Sequence, residues 1–111
     1  MRRVLIVEDE VLIALDLAEQ LEEAGFEVLG PAVSVAAALE LIKSIGCDSA
    51  VLDVNLGKET SEPVAQQLVT LGIPFIVLSG YSTIQHAPIF SSAPKLRKPA
   101  AIEELVALLR Q

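Results

Sequence analysis

The sequence predicts an α/β domain: a doubly wound, five-stranded parallel sheet in the order 2-1-3-4-5, with helices on both faces. Three observations predict it. Short aliphatic runs alternate five times with segments of helical spacing, joined by brief connections, which is the signature of a parallel sheet covered by helices. Glycines (Gly25, Gly46, Gly72) fall just where the helical spacing stops, as is common past a helix end. The chain is 52% hydrophobic yet only 4% aromatic, as suits a sheet buried on both faces by aliphatic side chains.

The first strand is "RVLIV", Arg3 to Val7, a β-branched run bounded by charge. Helical spacing follows: Val11, Ala14, Leu15, Ala18 and Leu21 share one face, and Asp16, Glu19, Gln20 and Glu23 the other. "FEVLG", Phe26 to Gly30, is a shorter second strand. Ser34 suits an N-cap for a helix over Val35 to Ile45, with Leu39 and Ile42 inward. "DSAVL", Asp48 to Leu52, is the third strand, followed by a loop from Val54 to Thr60. Ser61 and Pro63 mark a third helix start, with Val64, Leu68 and Leu71 as its inner face. "IPFIVL", Ile73 to Leu78, is the fourth strand, and Tyr81 to Pro94 carries at most a short irregular helix. "KLR", Lys95 to Arg97, and a final amphipathic helix from Ala100 complete the pattern.

With 111 residues the chain is expected to form one domain, 1–111. Its net charge of -7 disfavours binding to nucleic acid through phosphate contacts. A single cysteine, Cys47, allows no internal disulfide, and the N-terminus "MRRVLIVEDE" is too short and acidic for a signal peptide. No apolar run reaches membrane-spanning length, so a cytoplasmic protein without a membrane partner is expected.

Polar residues decorate the strand ends. Glu8 and Asp9 follow the first strand, Asp53 the third, Ser79 the fourth, and Lys98 and Pro99 the fifth; the second ends bare in Gly30-Pro31. Ligands of open α/β sheets bind beyond the carboxyl ends of the strands, where strand order reverses. The order 2-1-3-4-5 gathers the four decorated ends and leaves the bare one at the edge. Crowded carboxylates repel one another, and a hard divalent cation such as magnesium, with manganese as a substitute, relieves this through oxygen ligands. A carboxylate nucleophile beside such a metal, an ammonium and a hydroxyl are the parts phosphoryl transfer needs, and Asp53, Lys98 and Ser79 fit those roles.

The four fragments "LIVEDE", "VLDVNL", "VLSGY" and "LRKP", in this order, resemble bacterial two-component response-regulator receiver domains over essentially the whole chain. The resemblance implies a flavodoxin-like (βα)5 fold and a magnesium-dependent phosphoprotein. Asp53 would accept a phosphoryl group from a sensor histidine kinase or a histidine phosphotransfer protein. Asp9 would bind the metal directly, Glu8 mostly through water, and Asn55 through its backbone carbonyl. Lys98 would pair with the phosphoryl group, and the Lys98–Pro99 peptide would be cis, since proline lowers the cost of cis. Where many receivers carry a switching Tyr or Phe, three residues before the lysine, this chain has Lys95. "PFIVLSGYS", Pro74 to Ser82, is similar instead to the FAT-GUY subgroup, which tends to be single-domain and paired with HWE-type kinases, and it makes Tyr81 a switch candidate. Such a receiver catalyses only its own phosphorylation and dephosphorylation and is not a classical enzyme.

If Gln111 ends the protein, the expectation is a stand-alone adaptor, phosphate shuttle or sink with an unidentified downstream protein partner. The alternative is a binding-only receiver-like adaptor that docks a partner without phosphorylation. A flavin carrier of the same topology is disfavoured because "SGYST" follows the fourth strand and aromatics are few. An aspartate-based phosphatase is disfavoured because Asn55 stands where its second acid belongs.

Overall fold

A computed structural model of the chain describes residues 2–80, 88–91, 93–98 and 100–111. In chain order the elements are β1 (Arg3–Val7), α1 (Val11–Glu23), β2 (Glu27–Ala32), α2 (Val35–Ser44), β3 (Ser49–Asp53), β4 (Asn55–Leu56), β5 (Glu59–Thr60), α3 (Glu62–Leu71), β6 (Phe75–Ser79), a 3-10 turn (Pro88–Phe90), β7 (Lys95–Arg97) and α4 (Ile102–Leu109). The main sheet is parallel, in the order β2-β1-β3-β6-β7. Counting only its own strands, this is the 2-1-3-4-5 order read from the decorated strand ends.

Alternation along each strand splits the core into two layers. Leu5, Leu52 and Val77 pack with Ile42, Leu68 and Phe90 on the α2–α3 side. Val4, Ile6, Val51 and Ile76 pack with Leu21 and Leu105 on the α1–α4 side. All five residues of β3 and of β6 are buried, which is why those runs read as continuously apolar. Full burial of each such Val, Leu or Ile stabilises the fold by roughly 1.5–3 kcal/mol.

The structure corrects several expectations. On α1 the buried stripe is Ala14, Ala18 and Leu21; Val11 and Leu15 are exposed, as are Ile13 and the 83% accessible Leu12. Two alanines let α1 lie close to the sheet. Leu15 is rotated about 100° from Ala14, and Val11 lies in the first turn. On α3, Ala65 is buried and Leu71, in the last turn, is exposed. On α2, Ala38 and Ile42 face the core and Leu39 packs at its margin. The segment after Asp53 is a small antiparallel hairpin, with Asn55 opposite Thr60 and Leu56 opposite Glu59, turning at Gly57.

Helix ends follow their signals at Ser34 and at three glycines: Gly25 and Gly46 take positive φ, +101° and +86°, just past α1 and α2. The Ser34 hydroxyl accepts from the Ala37 N–H at 3.1 Å, and Gly72 closes α3 in the left-handed conformation at φ +72°. Ser61 does begin α3, but its side chain makes no capping bond; its N–H donates to the Val54 carbonyl and its own carbonyl accepts from Ala65. The second strand continues through Gly30 and Pro31 instead of ending there.

Candidate functional site

Register brings the polar residues to one rim. β1 pairs with β3 so that Val7 lies opposite Leu52, and Glu8 therefore emerges beside Asp53. Asp53 lies opposite Leu78 of β6, one residue before Ser79. Ser79 lies opposite Arg97 of β7, and its carbonyl accepts the Lys98 N–H at 2.8 Å. All these strands are parallel, so four carboxyl ends share one edge, and the residues just beyond them converge.

The centre of the site is the Lys98 ammonium. Its Nζ lies 3.0 Å from Glu8 Oε1 and 3.2 Å from Asp53 Oδ2. Glu8 is only 1% exposed and Asp53 6%, so neither carboxylate is hydrated as a surface acid would be. Burial of Lys98 would lower its pKa, but hydrogen bonds to Glu8 and Asp53, and their charges, outweigh that and raise it. Lys98 is therefore a firm cation at neutral pH.

One carboxylate oxygen from each of Glu8, Asp9 and Asp53 lies within 4.8 Å of the others. Three hard oxygen donors this close suit a small divalent cation such as magnesium. The hairpin turn lies beside Asp9: Gly57 adopts φ +69°, and a Cβ there would sit in ordinary contact with Asp9 Oδ2, 3.7 Å away. Asn55 is exposed at the start of the hairpin. Ser79 is buried at the end of β6.

Glu8, Asp9, Asp53, Ser79 and Lys98 thus converge at one rim of the sheet, with Asn55 two residues past Asp53. Lys95 does not join them: it is exposed on β7, and its Nζ reaches the Ala93 carbonyl at 3.4 Å. Tyr81 and Pro99, and with Pro99 the expected cis peptide, lie outside the described residues. Sequence reasoning passed over Glu10, whose Oε1 is 3.9 Å from Lys98 Nζ. The uninterrupted acidic run Glu8-Asp9-Glu10 was the signal that could have found it.

Comparison with known proteins gives the following. Residues 4–110 match the family model of the response regulator receiver domain. The chain is 35% identical over 109 residues to the transcriptional regulatory protein PdtaR of Mycobacterium tuberculosis, covering 95% of this chain and 53% of that protein. It therefore spans about half the length of the curated relatives it matches. Among solved structures it is similar to SdrG of Sphingomonas melonis Fr1, with a TM-score of 0.84, 39% identity, and coverage of 99% of this chain and 94% of that one. It is also similar to a response regulator protein of Burkholderia pseudomallei whose crystal structure holds a phosphorylated aspartic acid, a calcium ion and citrate. There the TM-score is 0.87 and the identity 28%, over 98% of this chain and 66% of that one.

Proposed function

The chain belongs to the response regulator receiver family, and from that premise we propose that it is a phosphorylation-dependent receiver whose Asp53 takes a phosphoryl group from a sensor histidine kinase or a histidine phosphotransfer protein. The observation that carries this reading is the Lys98 ammonium held at 3.0 Å from Glu8 and 3.2 Å from Asp53, beside the cluster of Glu8, Asp9 and Asp53.

The chemistry follows from the groups. A carboxylate oxygen of Asp53 attacks phosphorus in line; the P–N bond of the phosphohistidine breaks, and its electron pair returns to the imidazole nitrogen. Lys98 already touches Asp53 and stays charged, so it neutralises one phosphoryl oxygen without reorganisation. The Ser79 hydroxyl, from the neighbouring strand end, donates to another. Glu8, Asp9 and Asp53, with the Asn55 carbonyl, are the residues that would hold magnesium or manganese, which when bound offsets charge on the transferring phosphoryl oxygens.

Glu8 is buried and ion-paired, so it fixes Lys98 in place. We extend the reading to signalling by contact, as an adaptor, shuttle or sink, in which phosphorylation shifts the population of one arrangement of the Ser79 rim.

The test is incubation with magnesium and a small phosphodonor, followed by peptide mapping by mass spectrometry. One phosphoryl group on Asp53 is the expected result, abolished in Asp53→Asn. Undiminished labelling of Asp53→Asn would place the acceptor elsewhere. A wild-type protein that takes up no phosphate but still captures its kinase would favour the binding-only adaptor.

A further inference from the structure

Glu10 differs from the other acids at the rim. Its side chain is 64% exposed, whereas that of Glu8 is 1% exposed. Its position is nonetheless fixed from behind. The Glu10 N–H donates to Glu8 Oε2 at 3.2 Å, and its carbonyl accepts the Ala14 N–H at 2.9 Å at the start of α1. Its carboxylate makes no capping bond to the helix and instead reaches toward Lys98, 3.9 Å away. Beside it runs a cleft of about 470 Å³ that includes Lys98, Gly80, Leu78 and, from α1, Ile13 and a second acid, Asp16.

The geometry bounds what an incoming phosphoryl group meets. One of its oxygens must hydrogen-bond Lys98 at about 2.8 Å. With Glu10 Oε1 3.9 Å from the same nitrogen, the two oxygens are then no more than about 7 Å apart. That is within the roughly 8 Å screening length at physiological salt. Glu10 therefore places a carboxylate at close range to every donor that enters.

We propose that Glu10 determines phosphodonor specificity: by sharing Lys98 with Asp53, its carboxylate penalises donors in proportion to the negative charge they carry. Donors of net charge -2, such as acetyl phosphate, are thereby disfavoured relative to those whose protonated nitrogen leaving group offsets one charge, such as phosphoramidate or phosphohistidine protonated on its ring. The proposal rests on Asp53 being the phosphoacceptor.

The experiment measures phosphorylation rate constants of the whole chain with two donors, dianionic acetyl phosphate and monoanionic phosphoramidate. Wild type, Glu10→Gln and Glu10→Asp are compared at magnesium concentrations saturating for each. Glu10→Gln should speed acetyl phosphate by about tenfold and phosphoramidate by about threefold, as expected of a charge effect, and both gains should shrink as salt rises. Glu10→Asp, which keeps the charge, should stay close to wild type. A purely structural role would move both donors by one factor, independent of salt, and that result would overturn the proposal. If wild type is labelled at Asp53 but the donor ratio ignores Glu10→Gln, only this proposal fails. If wild type is labelled by neither donor, the phosphoacceptor reading fails and this proposal with it.

Discussion

At the scale of single residues, Lys98 organises the rim. It is the cation among Glu8, Asp53 and Glu10, and the two nearest of these acids are buried. Replacing it by methionine leaves Glu8 and Asp53 facing each other without a counter-charge. We expect Lys98→Met to lower stability by about 3 kcal/mol in metal-free denaturant titrations, with part of the loss recovered in magnesium. The same contacts set a pH dependence. The folded-state pKa of Lys98 lies above its ordinary value of 10.5, so the stability it contributes is fully present below that value. It is lost as pH rises through the folded pKa. Wild type should therefore lose stability faster than Lys98→Met above about pH 10.5, measured by urea unfolding across alkaline pH. Asp53 and Lys98 were legible in the sequence because a lone charge after an aliphatic run is costly without a partner. Glu10 was not, because an exposed acid beside two others looks like solvated surface until its distance to Lys98 is known.

At the scale of elements, the two glycines that differ most are Gly30 and Gly72. Both have positive φ, +96° and +72°. A Cβ at Gly72 would meet nothing within 4 Å, so Gly72→Ala should cost only the conformational penalty of about 1–2 kcal/mol. A Cβ at Gly30 would lie 2.7 Å from the Ala32 nitrogen and 3.2 Å from the Ile6 carbonyl oxygen, both backbone atoms that cannot rotate away. Gly30→Ala should therefore destabilise clearly more than Gly72→Ala in thermal unfolding; equal losses would show that β2 relaxes there. The sequence marked Gly72 as a helix stop, and the structure agrees. It marked Gly30 only as a strand end, because close approach of two backbones leaves no trace in local composition. The hairpin after Asp53 was read as loop for a similar reason: two-residue strands are too short to show alternation.

At the scale of the whole molecule, the sheet order decides whether there is a site at all. Glu8, Asp9, Asp53 and Lys98 come from three parts of the chain and meet only because β1, β3, β6 and β7 are neighbours in parallel register. The mutual repulsion of the three carboxylates in the folded state predicts a linkage. A divalent ion that binds this cluster, and not the unfolded chain, stabilises the fold by about 2.7 kcal/mol at a hundred times its Kd. Magnesium should raise the unfolding temperature of wild type, and Asp9→Asn should remove most of that rise; an equal rise in the variant would take the metal away from Asp9. No described helix is long and apolar enough to cross a membrane.

By itself the sequence determined the succession of strands and helices, the two-faced burial of the sheet and the residues standing at the strand ends. Periodicity and the cost of burying charge are local properties, written in neighbouring residues. Only the tertiary structure decided that Val11, Leu15 and Leu71 stay exposed and that one ammonium is shared by Glu8, Asp53 and Glu10. An apolar face is visible in a sequence, but what covers it is not. The distance between charges tens of residues apart is likewise fixed only when the strands between them pair.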